Sequence, residues 1–376
     1  MHVTIIANGF QEDYIEQLLK NMAGQVDRID FIGSSIHRDR PMPSNVVFYN
    51  LRGGHEEAPL VSKFTRVAIS HLKLFRYLLG TRSEAIHVQW VRFPILEGIL
   101  FTLFMRLLRK KVIYTAHDVL PHSGDTPVNR MLYRGVYRVQ NQIIAHTNYI
   151  MQRILNEFSV PVRKVHVVPH GVYERPFDPA LTPRLARERL QLPADTLVLL
   201  FFGYIAEYKG LDLLLESIKT YTGRPKIQLV VAGRVSPEYK ASFNSLVEDP
   251  SVKDNLVLHI RFIRDEEIET LFKAAHVAVL PYKEASQSGV LFMSYAYGVP
   301  VLVPNLGGFP DDVIPEHTGF IFDKGNPVSL AHTLERISRN DPVMSGSCSE
   351  SIRTHAFTHY AWSRSCAMMI DIYKMG

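Results

Sequence analysis

The chain has 376 residues, 46% hydrophobic and 21% charged, with a formal net charge of +5. That length suits two domains of ordinary size, and the composition is globular rather than disordered or fibrous. Two cysteines, Cys348 and Cys366, exclude a disulfide framework or a cysteine-rich zinc site. Met1–Ala7 shows neither a basic n-region nor a small-residue cleavage site, so no secretory signal is expected. The expected location is the cytoplasm, with the inner face of the membrane as the alternative. No basic stripe interleaved with aromatics is present, so no nucleic-acid partner is expected.

Short β-branched runs alternate with longer amphipathic stretches from the start of the chain. Val3–Ala7, Arg28–Ile32, Val46–Tyr49, Ala85–Gln89, Val112–Ala116, Gln142–His146 and Lys164–Pro169 read as strands. Asp13–Met22, Phe64–Leu79, Pro94–Leu108 and Thr147–Phe158 read as helices between them. Phe93–Leu108 is the longest apolar stretch, interrupted by Glu97 and Arg106 and followed by the basic run Arg109–Lys111. It falls short of a spanning helix. It reads either as a core helix or as one that also leans on a membrane surface.

The Pro-, Arg- and Glu-rich segment Gly171–Pro193 interrupts the series and reads as a linker and entry to a second domain. The pattern then restarts. Strands are expected at Thr196–Gly203, Ile227–Ala232, Leu256–Arg261, Val277–Leu280, Val299–Val303 and Gly319–Phe322. Helices are expected at Leu211–Tyr221, Pro237–Leu246, Asp265–Ala275, Val290–Tyr297 and Pro327–Ile337. A last helix, Tyr360–Tyr373, is expected to pack back onto the first domain. The fold class is α/β, two Rossmann-like domains of parallel strands facing across a cleft, split at 1–170 and 171–359. Such sheets bind ligands beyond the carboxyl ends of their strands, so the chemistry belongs in the loops there.

Four loops carry candidate groups. Phe202-Gly203-Tyr204-Ile205-Ala206-Glu207-Tyr208-Lys209-Gly210 combines two glycines, a helix start and a mobile cation, which together suit a diphosphate. Pro281-Tyr282-Lys283-Glu284-Ala285-Ser286-Gln287-Ser288-Gly289-Val290 offers hydroxyls and free N–H groups at another helix start, or simply a cap. Glu284 in that loop could accept hydrogen bonds from sugar hydroxyls. His117 and Asp118 end a strand in the first half, where they can donate and accept in a cleft. Asn305-Leu306-Gly307-Gly308-Phe309-Pro310-Asp311-Asp312 brings two more glycines to a strand end. Asn8-Gly9-Phe10 follows the first strand. There is no G-x-G-x-x-G, no P-loop and no G-x-S-x-G elbow, which excludes a dinucleotide dehydrogenase, a P-loop NTPase and an α/β-hydrolase.

The second half resembles the donor domain of retaining GT-B glycosyltransferases, in particular glycosyltransferase family 4. The resemblance runs through Val167–Val172, Gly203–Leu214, Val231–Arg234, Leu280–Pro300 and Gly307–Phe322, in the family's order. Thr115–His122 and the Gln287-Ser288-Gly289 loop resemble members from bacterial capsule or exopolysaccharide synthesis. The resemblance implies a sugar transfer from a UDP- or GDP-linked donor to a hydroxyl on a glycan or lipid-linked acceptor, with retention and with neither cofactor nor metal.

By resemblance, Lys209 holds the diphosphate. Ser286, Gln287, Ser288, Gly289 and Val290 line the donor site with Gly203, and Arg234 lies near the nucleotide. Glu284 and His117 contact the donor sugar, and Asn8, Gly9, Phe10 and Asp118 line the acceptor side. The first domain would then bind acceptor and the second donor. Two positions depart from the family. Tyr204 stands where an arginine is usual, and Phe292 or Met293 where a second glutamate contacts the ribose. A non-catalytic partner subunit and a sugar-nucleotide epimerase are the rival readings.

Overall fold

The computed structural model describes residues 1–7, 12–38, 40–52, 60–121 and 124–375, with the backbone alone for 60–64 and 66. Asn8, Gly9 and Phe10 lie outside the described residues. The chain separates into two compact units, Met1–Gly171 with Ala361–Gly376, and Val172–Tyr360.

The first unit opens with β1 (His2–Ile6), α1 (Glu12–Ala23), β2 (Arg28–Gly33), β3 (Val46–Asn50), α2 (Leu60–Gly80) and β4 (Ala85–Val88). A π-helical stretch, Pro94–Leu100, leads into α3 (Phe101–Leu107). There follow β5 (Lys111–Ala116), α4 (Pro127–Val139), β6 (Gln142–Ala145), α5 (Asn148–Phe158) and β7 (Val165–Val167). The strands form one parallel sheet in the order β3-β2-β1-β4-β5-β6-β7. Strand order reverses between β1 and β4, which opens a crevice at their carboxyl ends.

The second unit begins with α6 (Pro183–Arg189), then β8 (Thr196–Phe202), α7 (Leu211–Thr220), β9 (Lys226–Ala232), α8 (Lys240–Val247), β10 (Leu256–His259) and α9 (Asp265–Ala274). It continues with β11 (Val277–Val279), α10 (Gly289–Ala296), β12 (Val301–Pro304), α11 (Phe309–Asp312), β13 (Gly319–Phe322), α12 (Pro327–Ser338), α13 (Asp341–Ser345) and α14 (Ser349–His359). Its parallel sheet runs β10-β9-β8-β11-β12-β13 and reverses between β8 and β11. Leu197–Phe201 is buried throughout, because α helices cover both sheet faces and a central parallel strand has no solvent side. Two clusters, one around Phe272 and Leu291 and one around Leu214 and Leu330, fill the two faces.

Two expectations need correction. Gly171–Pro193 is not a plain linker. Thr182 caps α6 through a bond from Leu185 N–H, Pro183 sits at the helix start where its missing N–H costs nothing, and Leu181, Ala186 and Leu192 are buried in the core. The charged residues that suggested a linker are the helix's outer face. Pro94–Leu108 is not one continuous α-helix, since Pro94–Leu100 is π-helical, and as a core helix it buries only one face, through Thr102 and Met105. Gly98 lies against Val136 and Gly135 against Ile99, so α4 approaches closely on the inner side. Leu96, Leu100, Leu103 and Leu107 on the other side are exposed.

The last helix, α15 (Trp362–Lys374), belongs to the first unit and packs on α1. Trp362 is 1% exposed and fills the space over Gly171, where an added Cβ would sit 2.3 Å from its ring. Trp362→Ala should therefore destabilise the first unit by about 3–5 kcal/mol, as for other buried large-to-small changes. Denaturant unfolding followed by hydrogen exchange should show the loss in β1, α1 and α15, with the second unit's protection unchanged.

Candidate functional site

In the second unit the order reversal puts the loops after β8 and β11 side by side. Glycine geometry forces them into contact. Gly210 has φ +73° and a Cβ there would lie 2.0 Å from the Pro281 carbonyl oxygen. Gly307 has φ +59° and a Cβ would meet the Ala285 oxygen at 1.8 Å. Only glycine adopts these conformations without strain at such distances. Tyr208 carbonyl accepts from Lys283 N–H at 2.8 Å, which ties the first loop to the second. Three of the four sequence motifs thus converge on one spot.

Tyr282 is the centre of that spot. Lys209 Nζ donates to its hydroxyl at 2.5 Å, and the hydroxyl lies 3.2 Å from Ser288 Oγ. Phe309 packs edge-on against its ring at 5.5 Å. Lys209 is not the mobile cation expected from sequence. It is buried, its ammonium 4.0 Å from the Tyr282 ring centroid, and no carboxylate among the described residues pairs with it. Burial pushes its pKa down to about 8. Tyr282 was not among the expected site residues. Its role depends on contacts through space that the spacing of the motifs does not reveal.

Ser288 precedes α10, yet its side chain makes no capping bond. The plain-cap reading therefore fails. The N–H groups of Gly289 and Val290 point out of the helix start with no intrahelical acceptor, as the first turn's geometry requires. The serine hydroxyl, two free N–H groups, the positive end of α10 and the Lys209 ammonium make a cradle for an anion. Gln287 adds a buried Oε1 with no hydrogen-bond partner. Gly289 passes so close to Tyr173 that a Cβ would meet its hydroxyl at 2.9 Å. Ser286 and Val290 are half-buried beside it, and Glu284 is exposed at the rim.

Gly203 has φ +104° and its backbone lies against Gly233, where a Cβ would approach the Gly203 oxygen to 1.7 Å. Arg234 follows, exposed, its guanidinium 5.0 Å from the Phe262 ring. Phe292 and Met293 are buried in the core, so α10 presents no carboxylate toward the cradle. Asp312 is also buried; burial and Asp311 push its carboxyl up to about 8, and it bonds Tyr360. It is a packing group of the glycine-rich loop.

In the first unit, His117 follows β5 and is buried. Its ring stacks on Trp90 at 3.9 Å, with Tyr14 edge-on at 4.8 Å. Both ring nitrogens are engaged: Nε2 lies 3.0 Å from Gln89 Oε1 and Nδ1 lies 3.2 Å from His146 Nε2. His146 Nδ1 lies 2.9 Å from the Val168 carbonyl and must donate to it. Gln89 Oε1 can only accept, so His117 Nε2 carries the proton in that bond. His87 and His170 complete the cluster. Sequence spacing missed it because its members come from four separate strand ends. Asp118 is half-buried next to it.

Burial holds all four histidines neutral. It lowers His117 well below its usual value, with the neighbouring histidines adding to the effect, and pushes His146 to about 4 and His87 and His170 to about 3. The unfolded chain binds protons at these sites from pH 6.5 downward, while the folded unit does not. Stability therefore falls with acidification through that window, roughly tenfold in folding constant per pH unit per histidine. Chemical denaturation of the first unit at pH 7.5 and pH 5 should show the loss; equal midpoints would contradict it.

These two units, each a doubly wound parallel sheet with its loops at the switch point, define the GT-B architecture. Residues 184–354 match the family model described as Glycosyl transferases group 1, and residues 11–174 match Glycosyltransferase Family 4. Together the models take in most of the chain, and the chain is a glycosyltransferase of this group 1, family 4-like class. It is 27% identical over 305 residues to a D-inositol 3-phosphate glycosyltransferase of Arthrobacter sp., covering 78% of this chain and 70% of that protein. For the Streptomyces avermitilis protein of the same name the identity is 28%, over 67% of this chain and 56% of that one. The fold is similar to that of Anabaena HepE in complex with UDP, with a TM-score of 0.77, 12% identity, and 99% of each chain covered.

The cradle predicts a pH signature. An anion binds best to protonated Lys209, so affinity for UDP should fall as pH rises above about 8. Calorimetric titration from pH 7 to 9 should show up to about a tenfold loss per pH unit, and Lys209→Met should remove the slope. A slope that survives in the variant would place the phosphate elsewhere.

Proposed function

We propose that the chain transfers a sugar from a UDP- or GDP-linked donor to a hydroxyl of a glycan or lipid-linked acceptor, with retention and without metal. The second unit takes the donor and the first unit the acceptor. The work belongs to polysaccharide or glycoconjugate synthesis, in the cytoplasm at the inner face of the membrane. One observation carries this reading: a buried lysine that no carboxylate among the described residues pairs with, aligned through Tyr282 with an uncapped helix start. A leaving nucleoside diphosphate supplies the missing negative charge. The UDP bound by Anabaena HepE, a protein of the same fold, supports that choice.

The charge of the leaving diphosphate grows as the glycosidic bond breaks. The Lys209 ammonium and the Gly289 and Val290 N–H groups are fixed in place and need no reorganisation at that moment. Tyr282 holds the ammonium and, through its own O–H, orients Ser288 Oγ. Glu284 at the rim is suited to sugar hydroxyls, and the unpartnered Gln287 Oε1 to a donor N–H or O–H. The glycosyltransferases named for D-inositol 3-phosphate support a hydroxyl acceptor.

Lys209→Met should lower donor turnover by about a hundredfold or more while the melting temperature holds. The assay is UDP or GDP release over a panel of nucleotide sugars, with glycan and lipid-linked acceptors. Turnover in the variant within twofold of the parent would sink the assignment. Nucleotide binding without release from any donor would favour the non-catalytic reading.

A further inference from the structure

The sheet face beneath α2 changes character along its strands. On β1 and β2 every second residue points to that side, and there Ile6 and Ile32 pack with Leu74 and Leu78 of α2. Toward the amino ends of the two strands the same alternation gives His2, Thr4, Arg28 and Asp30. A parallel-sheet face covered by a helix is ordinarily apolar throughout. Here Thr4 and Asp30 are buried, at 0% and 3% exposure. Tyr77 of α2 donates to Asp30 Oδ2 at 2.7 Å, and its hydroxyl lies 2.8 Å from Thr4 Oγ1. Asp30 Oδ1 accepts from Arg28 Nε at 2.8 Å, and His2 Nε2 lies 3.1 Å from Oδ2. The buried carboxylate thus has its partners, and it fixes Arg28 and Tyr77 in place.

Beside these groups lies a cavity of about 540 Å³. That is within the roughly 300–1,000 Å³ of small-molecule sites. Tyr49 of the edge strand forms part of its wall, its ring 5.1 Å from that of Tyr77 and tilted by 52°. An Arg28 Nη donates to the Tyr49 hydroxyl at 3.3 Å. Lys73, Arg76 and Arg82 also line the cavity, and no carboxylate among the described residues pairs with them. Glu84 accepts from the His2 N–H, and Asp27 pairs with the Met1 amino group. The last turn of α2 holds no basic residue, so Lys73 and Arg76 do not serve its terminal carbonyls. Arg28 balances Asp30, which leaves three cations around one cavity. That surplus calls for an anion, and the volume calls for one larger than a bare ion. Two tyrosine faces set at an angle, with hydroxyls beside them, suit a sugar ring better than a planar base, which needs a parallel slot.

We propose that this cavity binds a free sugar phosphate. Lys73, Arg76 and Arg82 hold the phosphate by charge-assisted hydrogen bonds, and the ring lies against Tyr49 and Tyr77. The cavity sits over the amino-terminal halves of β1 and β2. Reacting groups of a doubly wound sheet sit beyond the opposite, carboxyl ends. The bound sugar phosphate is therefore an effector and not the acceptor. Its contacts join α2 to β1 and β2 through Tyr77, Thr4 and Asp30. The proposal goes beyond the functional reading and does not depend on the donor cradle.

Calorimetric titration of the full chain tests it, with glucose 6-phosphate, glucose 1-phosphate, inorganic phosphate and glucose as probes. At least one of the sugar phosphates should bind about tenfold or more tightly than inorganic phosphate, and glucose should give no heat. Arg76→Gln with Arg82→Gln should weaken that binding about tenfold or more. Tyr49→Ala should bring the sugar phosphate down toward the affinity of inorganic phosphate. Lys209→Met should leave sugar-phosphate binding unchanged, and the UDP-induced thermal shift should be the same in the arginine variant as in the parent. These two controls separate the cavity from the donor cradle. No binding of either sugar phosphate, or equal binding by the arginine variant, overturns the proposal. So does inorganic phosphate binding as tightly as both sugar phosphates, since the site would then select charge alone. Displacement of the sugar phosphate by phosphatidylglycerol vesicles overturns it in favour of a lipid headgroup.

Discussion

A lysine ammonium buried with no carboxylate partner among the described residues is the constraint on which the second unit's site depends. Charge of this kind is costly to bury unless something of opposite sign arrives or a strong acceptor compensates. Tyr282 gives partial compensation, and the low pKa of Lys209 records what remains. Everything around the ammonium keeps that position open to an anion. Ser288 leaves α10 uncapped, and Gly210 and Gly307 press the three loops together. Replacing either glycine would separate the groups that make the cradle.

The first unit solves a different problem. It buries four imidazoles beside the buried Trp362 and the half-buried Trp90 and keeps the imidazoles neutral by exclusion of water. His117 is the residue that motif reasoning places against a sugar. In the structure its nitrogens serve Gln89 and His146, so a hydroxyl can reach it only by displacing the amide or by contact with the backbone. The cluster's first duty is to fix the end of β5, and with it the carbonyls and N–H groups of Thr115–Asp118.

Much of this was legible in the sequence, for a physical reason. Parallel strands covered on both faces are continuous apolar runs, so Thr196–Phe202 and Lys226–Ala232 announce themselves within a residue or two. Strand-end glycines mark the loops, and Lys209 and Ser288 fall in them. What was not legible depends on distance between segments far apart in sequence. Tyr282 reads as an ordinary loop aromatic until Lys209 is placed against it. Helix α6 reads as a linker because its outward face carries the charge. The leucine stripe before Lys110 shows its period in sequence, but only the packing of Gly98 on α4 shows that the stripe faces outward.

The central claim is that the Lys209, Tyr282 and α10 cradle receives the donor diphosphate. A crystal structure of the chain with UDP tests it most directly. The account predicts a β-phosphate within hydrogen-bond distance of Lys209 Nζ and of the Gly289 and Val290 N–H groups. A nucleotide bound elsewhere, with the Lys209–Tyr282 bond and the uncapped helix start undisturbed, would contradict it.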